Sequence, residues 1–344
     1  MPRPPQQPLQ PRVSHSETAG HALTSQLCRG PAVRAPSIHN SQPWRWRVGD
    51  CSLHLFADPE VQLPNTDPDG RDLIVSCGAA LHHCVVALAA LGWRAQVRHF
   101  PNPADPDHLA VLELFRAPIT ESAIALSGAI QRRRTDRRRY SDRAVPAATI
   151  AAICARLSHL GVAVREVRSQ PRLQRIVTQS VRQHAADHGY LTEVNTWSAL
   201  YACSTGAPAR TTPRDDPAAG VAGRGVAGSI SAAPDDADTA EDHAVVLALG
   251  TANDRRLARL RAGEATSLVV LRATTSGLAT CPLTEPLEIS ETRDAVQREV
   301  FADQASPQML LCIGWAPDDA EPLPLTPRRP MQEVVARLDG SAFG

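Results

Sequence analysis

Lysine is missing from the 344-residue chain, so all 36 of its strongly basic side chains are arginines. Codon bias in a GC-rich genome accounts for this absence, but it still limits the chemistry. Any anion site must use the planar, bidentate guanidinium group rather than an ammonium point charge. A net charge is also missing, because 36 acidic residues balance the arginines. This balance argues against a general nucleic-acid or membrane-surface binder, whose electrostatic footprint is basic.

Cysteine pairs, signal sequences and long apolar runs are missing as well. The eight cysteines are scattered without a C-x-x-C pair, which is typical of a reduced protein without a metal site. The N-terminal stretch "MPRPPQQPLQPRVSHSE" has no apolar core of a signal peptide and predicts a mobile arm over 1–20. No apolar run approaches the roughly 18 residues that span a membrane. We therefore expect a cytoplasmic protein with no membrane or nucleic-acid partner.

What is present begins with a series of α/β elements. "WRWRVGDCSLHLFAD" alternates large and polar residues around Gly49-Asp50 and predicts a β-hairpin. The next apolar stretch has helical spacing from Leu73 to Leu88, and Gly92 stands where such a helix ends. "RAQVRHF" and "LAVLELFR" predict two further strands.

A second series begins near Ala129. It predicts a helix from Pro146 to Gly161, a strand in "VAVREV", a largely helical stretch, a strand in "AVVLALG", a long helix from Asp254, and a strand in "QMLLCIGWA". The tail "PRRPMQEVVARL" predicts a last helix. Residues 204–242 contain few large apolar side chains, so we expect a lid, a functional insertion or a disordered segment there.

The two series resemble copies of each other. "GAALHHCVVALAALG" runs from Gly78 to Gly92, and "GEATSLVVLRATTSG" runs from Gly263 to Gly277 with the same spacing. Arg71 and Arg256 each stand seven residues before the first glycine. The pattern predicts an internal duplication, with two halves related by a pseudo-twofold axis like a covalent homodimer.

The densest charge lies in "QRRRTDRRRYSDRAVP", from Gln131 to Pro146. By composition alone such a run is typical of a solvated basic face. A second pair, Arg328 and Arg329, lies near the C-terminus. Two separated arginine clusters with a threonine hydroxyl could also clamp a phosphate dianion through bidentate hydrogen bonds.

These motifs resemble the nitroreductase-like flavoproteins. "RRRTDRRRYSDRAVPAATIAAI" resembles their phosphate-binding turn, "APSIHNSQPWRW" their "PSxxNxQPW" segment beside the flavin ring, and "RAGEATSLVVLRATTSGLATCPLTEP" their central helix and N5-edge turn. "LLCIGWAPDDAEPLPLTPRRPMQEVV" resembles the closing strand and the C-terminal phosphate clamp. The tandem arrangement is similar to the Acg family, which is associated with a stress or dormancy response. The resemblance implies an α/β (α+β) fold of two fused halves, an arm over 1–20, a first half over 21–128, and a second over 129–344 that contains the lid.

The resemblance also implies FMN as cofactor and assigns residues to it. The phosphate would meet Arg133, Arg134, Thr135, Arg137, Arg328 and Arg329. The pyrimidine edge would lie against a wall formed by Pro36, Ser37, His39, Asn40 and Gln42. The flavin N5 atom would meet a backbone N–H near Leu283 or Thr284. No catalytic side chain is expected, because the flavin carries the hydride.

Each motif occurs in one half only, so the resemblance implies one complete site in a monomeric, intrachain pseudo-dimer. Two functions remain open. One is an NAD(P)H-dependent oxidoreductase that reduces nitro or quinone-type acceptors through FMN. The other is a non-catalytic protein that sequesters or stores FMN beneath a lid. Both functions use the same residues, and sequence does not report the space above the flavin that would distinguish them.

Overall fold

The structure, a computed structural model, describes residues 32–167, 170–205, 244–318 and 321–342. The predicted arm and most of the predicted lid over 204–242 lie outside the described residues, so these two expectations stay predictions.

Helices and strands alternate along the described chain. The first series contains β1 (Trp44–Val48), β2 (Ser52–Ala57), α1 (Arg71–Ala90), β3 (Trp93–His99), β4 (His108–Arg116) and α2 (Glu121–Arg132). The second series contains α3 (Ala147–Cys154), β5 (Val162–Glu166), α4 (Gln170–Ala186), α5 (His188–Thr205), β6 (Val245–Thr251), α6 (Arg256–Thr275), β7 (Ala279–Pro282), α7 (Glu285–Glu288), α8 (Ser290–Phe301) and β8 (Ser306–Gly314). The tail adds α9 (Met331–Val334) and β9 (Val335–Arg337).

Two sheets repeat one arrangement. The first has the order β3-β4-β2-β1-β9, and the second, taken from its other end, has the order β7-β8-β6-β5. The pairs β1–β2, β2–β4 and β3–β4 are antiparallel, as are β5–β6, β6–β8 and β7–β8. Both central pairs shift register at one point, at Leu55/Phe56 and at Leu249/Gly250. The predicted duplication therefore corresponds to two β-β-α-β-β units, with α4 and α5 inserted between the first two strands of the second unit and α7 and α8 between its last two.

The central helices α1 and α6 cross at the two glycines that marked the sequence repeat. A Cβ atom on Gly78 would lie 2.0 Å from the Leu260 carbonyl oxygen, and one on Gly263 would lie 2.0 Å from that of Val75. Real Cβ atoms do not approach backbone this closely, so the side-chain hydrogen of glycine is what allows the contact. The two halves thus meet backbone against backbone.

The two equivalent arginines each cross to the opposite half. Arg71 is fully buried and donates to the carbonyl oxygens of Pro307 (3.0 Å) and Gln308 (2.6 Å) at the start of β8. Arg256 donates to the Pro106 carbonyl oxygen (2.8 Å) and the Asp107 carboxylate (3.1 Å), immediately before β4. The pair predicted from spacing therefore fixes each helix to the sheet of the other half.

Histidines and a serine form a polar contact in the same interface. The Nδ1 atoms of His82 and His83 lie 2.7 and 2.8 Å from the Ser267 hydroxyl. One hydroxyl can donate to one ring and accept from the other, so both Nδ1 atoms have a partner when the rings are neutral, whereas His83 Nε2 has none among the described residues. Burial, followed by the charge of Arg272, lowers the pKa of His82 to about 4. The two histidines therefore contribute to the interface between the central helices.

The helix predicted from Pro146 to Gly161 is shorter than expected. Helix α3 ends at Cys154, Arg156 adopts a left-handed φ of 76°, and a 3-10 turn over Leu157–Leu160 follows. Arg272 of α6 causes the break, because its Nη1 atom donates to the carbonyl oxygens of Ala152 (2.7 Å) and Ala155 (2.8 Å). A distant side chain thus satisfies the helix C-terminus, which local sequence does not reveal.

The C-terminal tail also differs from the prediction of a helix. After the single turn of α9 the chain forms β9, which pairs in parallel with β1 of the first sheet from Trp46↔Val335 to Val48↔Arg337. Val334 and Val335 are buried there. The end of the second half therefore completes the sheet of the first.

The expectation that no segment is apolar enough to span a membrane was wrong. Helix α1 passes that test by length and composition. Most of it is buried inside the protein, however, and the core helix of a soluble protein meets the same criterion. Its apolar character is explained by its contacts with the first sheet and with α6.

Replacing Gly263 with alanine tests the crossing of the central helices. The added methyl group would overlap the Val75 carbonyl oxygen, so the helices must separate and the variant should lose more than about 3 kcal/mol of unfolding free energy. The control is Gly128→Ala in α2, where the new Cβ meets only the end of the flexible Arg132 side chain. That variant should be neutral or about 0.5–1 kcal/mol more stable. Equal stabilities of both variants in chemical denaturation would contradict the close crossing.

Acidification tests the His82 contact. A histidine with a lowered folded-state pKa contributes stability above pH 6.5 and loses it as the pH falls towards 4. The difference in unfolding free energy between wild type and His82→Gln should therefore decrease by as much as about 3 kcal/mol when the pH is lowered from 6.5 to 4. Calorimetric unfolding across the range measures the gap. His159→Gln, at an exposed position, should follow the wild-type curve, and a constant gap for His82→Gln would refute the assignment.

Candidate functional site

A cavity of about 820 Å³, including its open mouth, lies between the two halves. Helix α1 and the segment before β1 form one wall, and α6, β8 and the turn after β7 form the other. Its lining residues are Pro36, Ser37, Ile38, His39, Asp72, Val75, Ser76, Ala79, Thr135, Arg137, Tyr190, Thr266, Pro282, Leu283, Thr284, Glu285, Glu288 and Met309. The mixture of apolar and polar groups is typical of a small-molecule site.

Seven of the thirteen predicted cofactor residues line this cavity, and they come from three separate segments. They are Pro36, Ser37, His39, Thr135, Arg137, Leu283 and Thr284. The other six, Asn40, Gln42, Arg133, Arg134, Arg328 and Arg329, are not among its lining residues. The fold thus brings the three cavity-lining motifs together.

The segment around His39 has an unusual backbone. His39, Asn40 and Gln42 have left-handed φ values of 42°, 57° and 53°. The Ser37 hydroxyl accepts a hydrogen bond from the backbone N–H of Gln42 (3.0 Å), and the Ser76 hydroxyl accepts one from the backbone N–H of Ile38 (3.2 Å). Non-glycine residues in this conformation carry strain, which persists where surrounding contacts enforce it and which clusters at functional sites. The conformation directs His39 to the cavity.

The predicted C-terminal clamp grips this segment. Arg328 Nη1 donates to the Asn40 amide oxygen (2.6 Å), and its Nη2 donates to the Arg34 carbonyl oxygen (3.1 Å). Arg329 Nη1 donates to the Gln42 carbonyl oxygen (3.2 Å) and pairs with buried Asp58 (3.0 Å). In this structure both arginines hold the wall of the cavity rather than line it.

The arginine-rich turn separates into paired and unpaired side chains. Arg138 makes a bidentate pair with Asp136 (2.9 and 2.8 Å). Arg134 donates to the carbonyl oxygens of Gln131, Arg133 and Leu323. Arg137 lines the cavity and has no hydrogen-bond or ion-pair partner among the described residues. The sequence left open whether this basic run is solvated or binds an anion. In the structure, the Arg137 guanidinium of this run lines the cavity.

Arg133 is the most unusual member of this turn. Its side chain is buried, and its Nε atom has no hydrogen-bond partner among the described residues. The nearest polar contact in the described chain is the Thr135 hydroxyl, 3.5 Å from Nη1, and no carboxylate is paired with it. Burial, followed by the charges of Arg134 and Arg34, lowers the pKa of Arg133 to about 10. An unpaired buried cation is costly, so the arrangement favours binding of an anion beside Thr135.

The turn after β7 offers one backbone donor to the cavity. The Leu283 N–H donates to the Leu310 carbonyl oxygen (2.8 Å) and is therefore occupied. The Thr284 N–H has no such partner within the described ranges. Of the two amides predicted to meet a cofactor edge, Thr284 is thus the one able to do so.

Acidic residues also line the cavity, a feature the sequence analysis missed. Glu285 and Glu288 of α7 lie 3.4 and 3.7 Å from the two ring nitrogens of His184, whose ring stacks on Tyr190 at 3.9 Å. Burial, then the charges of Asp72, Glu285 and Asp67, raises the pKa of Glu288 well above its usual value. The acidic pair in "TEPLE", directly after the predicted N5-edge turn, was the available signal.

Known proteins give the family context for this site. No family model matches the chain. The Mycobacterium tuberculosis (strain H37Rv) protein named "Putative NAD(P)H nitroreductase Rv3131" is 55% identical over 304 residues, which are 88% of each chain. From the same organism, "Putative NAD(P)H nitroreductase acg" is 37% identical over 319 residues, 88% of this chain and 92% of that protein.

The chain belongs to the Acg family of nitroreductase-like proteins. The fold implied by the sequence resemblance is thereby confirmed. Solved structures with lower similarity include the FMN-dependent nitroreductase NfnB from Mycobacterium smegmatis in complex with NADPH, with a TM-score of 0.41, 19% identity, and coverage of 62% of this chain and 97% of that chain. A Bacteroides fragilis nitroreductase with bound FMN has a TM-score of 0.40 and 14% identity over 59% of this chain and 94% of its own.

Two arginine variants of this family member test whether Arg133 is held for a ligand. Arg133→Met removes an unpaired buried charge and should stabilise the dialysed protein by about 1 kcal/mol or more. Arg138→Met leaves the buried Asp136 without its bidentate partner and should destabilise it by about 1–3 kcal/mol. Thermal unfolding of the two variants beside wild type gives the comparison. Equal destabilisation by both would show that Arg133 is a structural cation.

Proposed function

We propose that the chain binds one FMN in the cavity between its halves and catalyses NAD(P)H-dependent reduction of nitro or quinone-type acceptors. The observation that carries the proposal is two guanidinium groups without a carboxylate partner in the described chain: Arg137 lines the partly apolar cavity with Thr135, and buried Arg133 lies 3.5 Å from the Thr135 hydroxyl. Support for NAD(P)H comes from the names of relatives up to 55% identical to the chain. Support for FMN comes from the resemblance of the cavity-lining segments to flavin-binding motifs.

The donor set fits the parts of FMN. Arg133, Thr135 and Arg137 would hold the phosphate dianion, because charge-assisted bidentate bonds match its geometry. Val75, Ala79 and Met309 give apolar surface for the ring system. His39 Nε2 is a buried atom without a hydrogen-bond partner in the described chain, and so can meet a polar ring edge.

Protonation of His39 fixes the kind of hydrogen bond it can make. Burial, then the charges of Arg137 and His184, lowers the pKa of His39 to about 4. The ring is therefore neutral near pH 7, with one nitrogen as donor and the other as acceptor. FMN, when bound, would supply hydride transfer between NAD(P)H and the acceptor. The protein's own residues would orient it and exclude water from the enclosed end of the cavity.

Arg137→Gln tests the phosphate contact. Loss of one charge-assisted interaction worth about 1.5–3 kcal/mol should weaken FMN binding by about 10-fold to 150-fold. Quenching of flavin fluorescence gives the affinity. Arg165→Gln, at an exposed arginine of β5, should bind like wild type. Unchanged FMN affinity in Arg137→Gln would remove this residue from the site.

The catalytic part of the proposal has a separate test. Addition of NADH or NADPH to the FMN-loaded protein in the absence of oxygen should bleach the visible absorbance band of the oxidised flavin. Subsequent addition of a quinone should restore it. Tight FMN binding without bleaching by either nucleotide would favour the alternative role of FMN sequestration or storage.

A further inference from the structure

We propose that the carboxyl group of Glu288 donates the proton that accompanies hydride transfer to the electron acceptor. This inference rests on the proposed function, and concerns a residue that neither the resemblance nor the cofactor assignment uses. Its basis is the position of Glu288 in the cavity lining, on the same helix as Glu285 and one helical turn after Thr284.

Contacts hold this carboxyl group at the cavity surface with one oxygen available. The Glu288 side chain is only 2% exposed. Its Oε1 atom accepts from the Thr284 hydroxyl at 2.7 Å, whereas Oε2 has no hydrogen-bond partner within the described ranges. A buried carboxylate with an unsatisfied oxygen is costly, but a carboxylic acid that can donate to a bound molecule is not.

The surrounding charges favour the protonated form. Glu288 faces negative or titratable groups from α1, the loop before it, α4, α5 and its own helix. These groups are Asp72, Asp67, His184, Tyr190 and Glu285. Arg71 forms an ion pair with Asp72. Arg137 and His39 also line the cavity. Burial and the neighbouring carboxylates raise the pKa of Glu288, so it carries a proton at a pH where an exposed glutamate has lost one.

The proposed step balances for a quinone acceptor. One carbonyl oxygen of the quinone receives a hydride, that is, two electrons and one hydrogen, from the reduced cofactor of the proposed function. The Glu288 Oε2–H bond breaks and its proton goes to a quinone oxygen, which gives the hydroquinone and a Glu288 carboxylate. His184, with Nε2 3.7 Å from Oε2, lies where it can pass a proton from water back to this carboxylate.

Glu288→Gln removes the proton and keeps the shape of the side chain. We expect oxidation of the dithionite-reduced, FMN-loaded variant by 1,4-benzoquinone to slow by about 100-fold or more, as is usual for loss of a general acid. Bleaching by NAD(P)H should stay within a few-fold of wild type. The matched control Glu291→Gln alters an exposed glutamate outside the cavity and should oxidise like wild type. An unchanged oxidation rate in a Glu288→Gln variant with normal FMN content would overturn the proposal, whereas failure to load FMN would count against the proposed function instead.

Infrared spectroscopy gives a readout independent of turnover. At a pH where exposed glutamates are ionised, wild type and Glu291→Gln should show the C=O stretching band of a protonated carboxylic acid, and Glu288→Gln should lack it. If Glu288→Gln does not fold, wild type alone decides the matter. The quinone-oxidation rate should then fall as the pH rises, over the same range in which the band disappears. Absence of the band would overturn the assignment. So would a quinone-oxidation rate that stays constant over the pH range in which the band disappears.

Discussion

The close crossing of α1 and α6 is the constraint on which the rest of the structure depends. Gly78 and Gly263 let the two helix backbones touch, and Arg71 and Arg256 then reach the opposite halves. The same two helices line the cavity, α1 through Val75, Ser76 and Ala79 and α6 through Thr266. A larger residue at either glycine would move the walls of the site as well as the core. Stability of the interface and shape of the cavity are therefore determined by one contact.

The cavity is lined by charged groups of both signs. Arg137 lines it without a hydrogen-bond or ion-pair partner in the described chain, and the buried carboxyl groups of Glu285 and Glu288 line it as well. In a low-dielectric interior such groups are costly unless a ligand or a proton compensates their charge. An anion would compensate the guanidinium group and protons the carboxyl groups, which matches the requirements of a phosphate-bearing redox cofactor and its acceptor. The strained backbone at His39 contributes to the same lining and is held in place by Arg328 and Arg329.

Sequence was sufficient for the features that depend on local pattern. The hairpin at Gly49-Asp50, both central helices, and the repeat marked by Gly78 and Gly263 are all present in the structure. Features set by distant partners were not predictable. Arg272 ends α3 from another helix, and β9 crosses to the first sheet because β1 offers it an edge.

The same division applies to the candidate site. Motif resemblance identified Ser37, His39, Thr135 and Arg137, which the fold brings into one cavity. It included Arg133, which has no carboxylate partner in the described chain, and omitted Arg138, which Asp136 neutralises, but it also included Arg134, whose guanidinium donates to backbone carbonyl oxygens. It did not find Glu288, since the pKa of a glutamate depends on carboxyl groups that only folding brings near it. Spacing in the sequence reports which side chains are available, whereas their charge state follows from tertiary contacts.

The most direct test of the central claim compares the affinities of FMN and riboflavin for the wild-type protein by calorimetric titration. The two ligands share the isoalloxazine ring and the ribityl chain and differ in the phosphate, so their ratio isolates the anion site at Arg133, Thr135 and Arg137. With two charge-assisted interactions of about 1.5–3 kcal/mol each, FMN should bind at least about 100-fold more tightly than riboflavin. Equal affinities, or no binding of either flavin, would contradict the account.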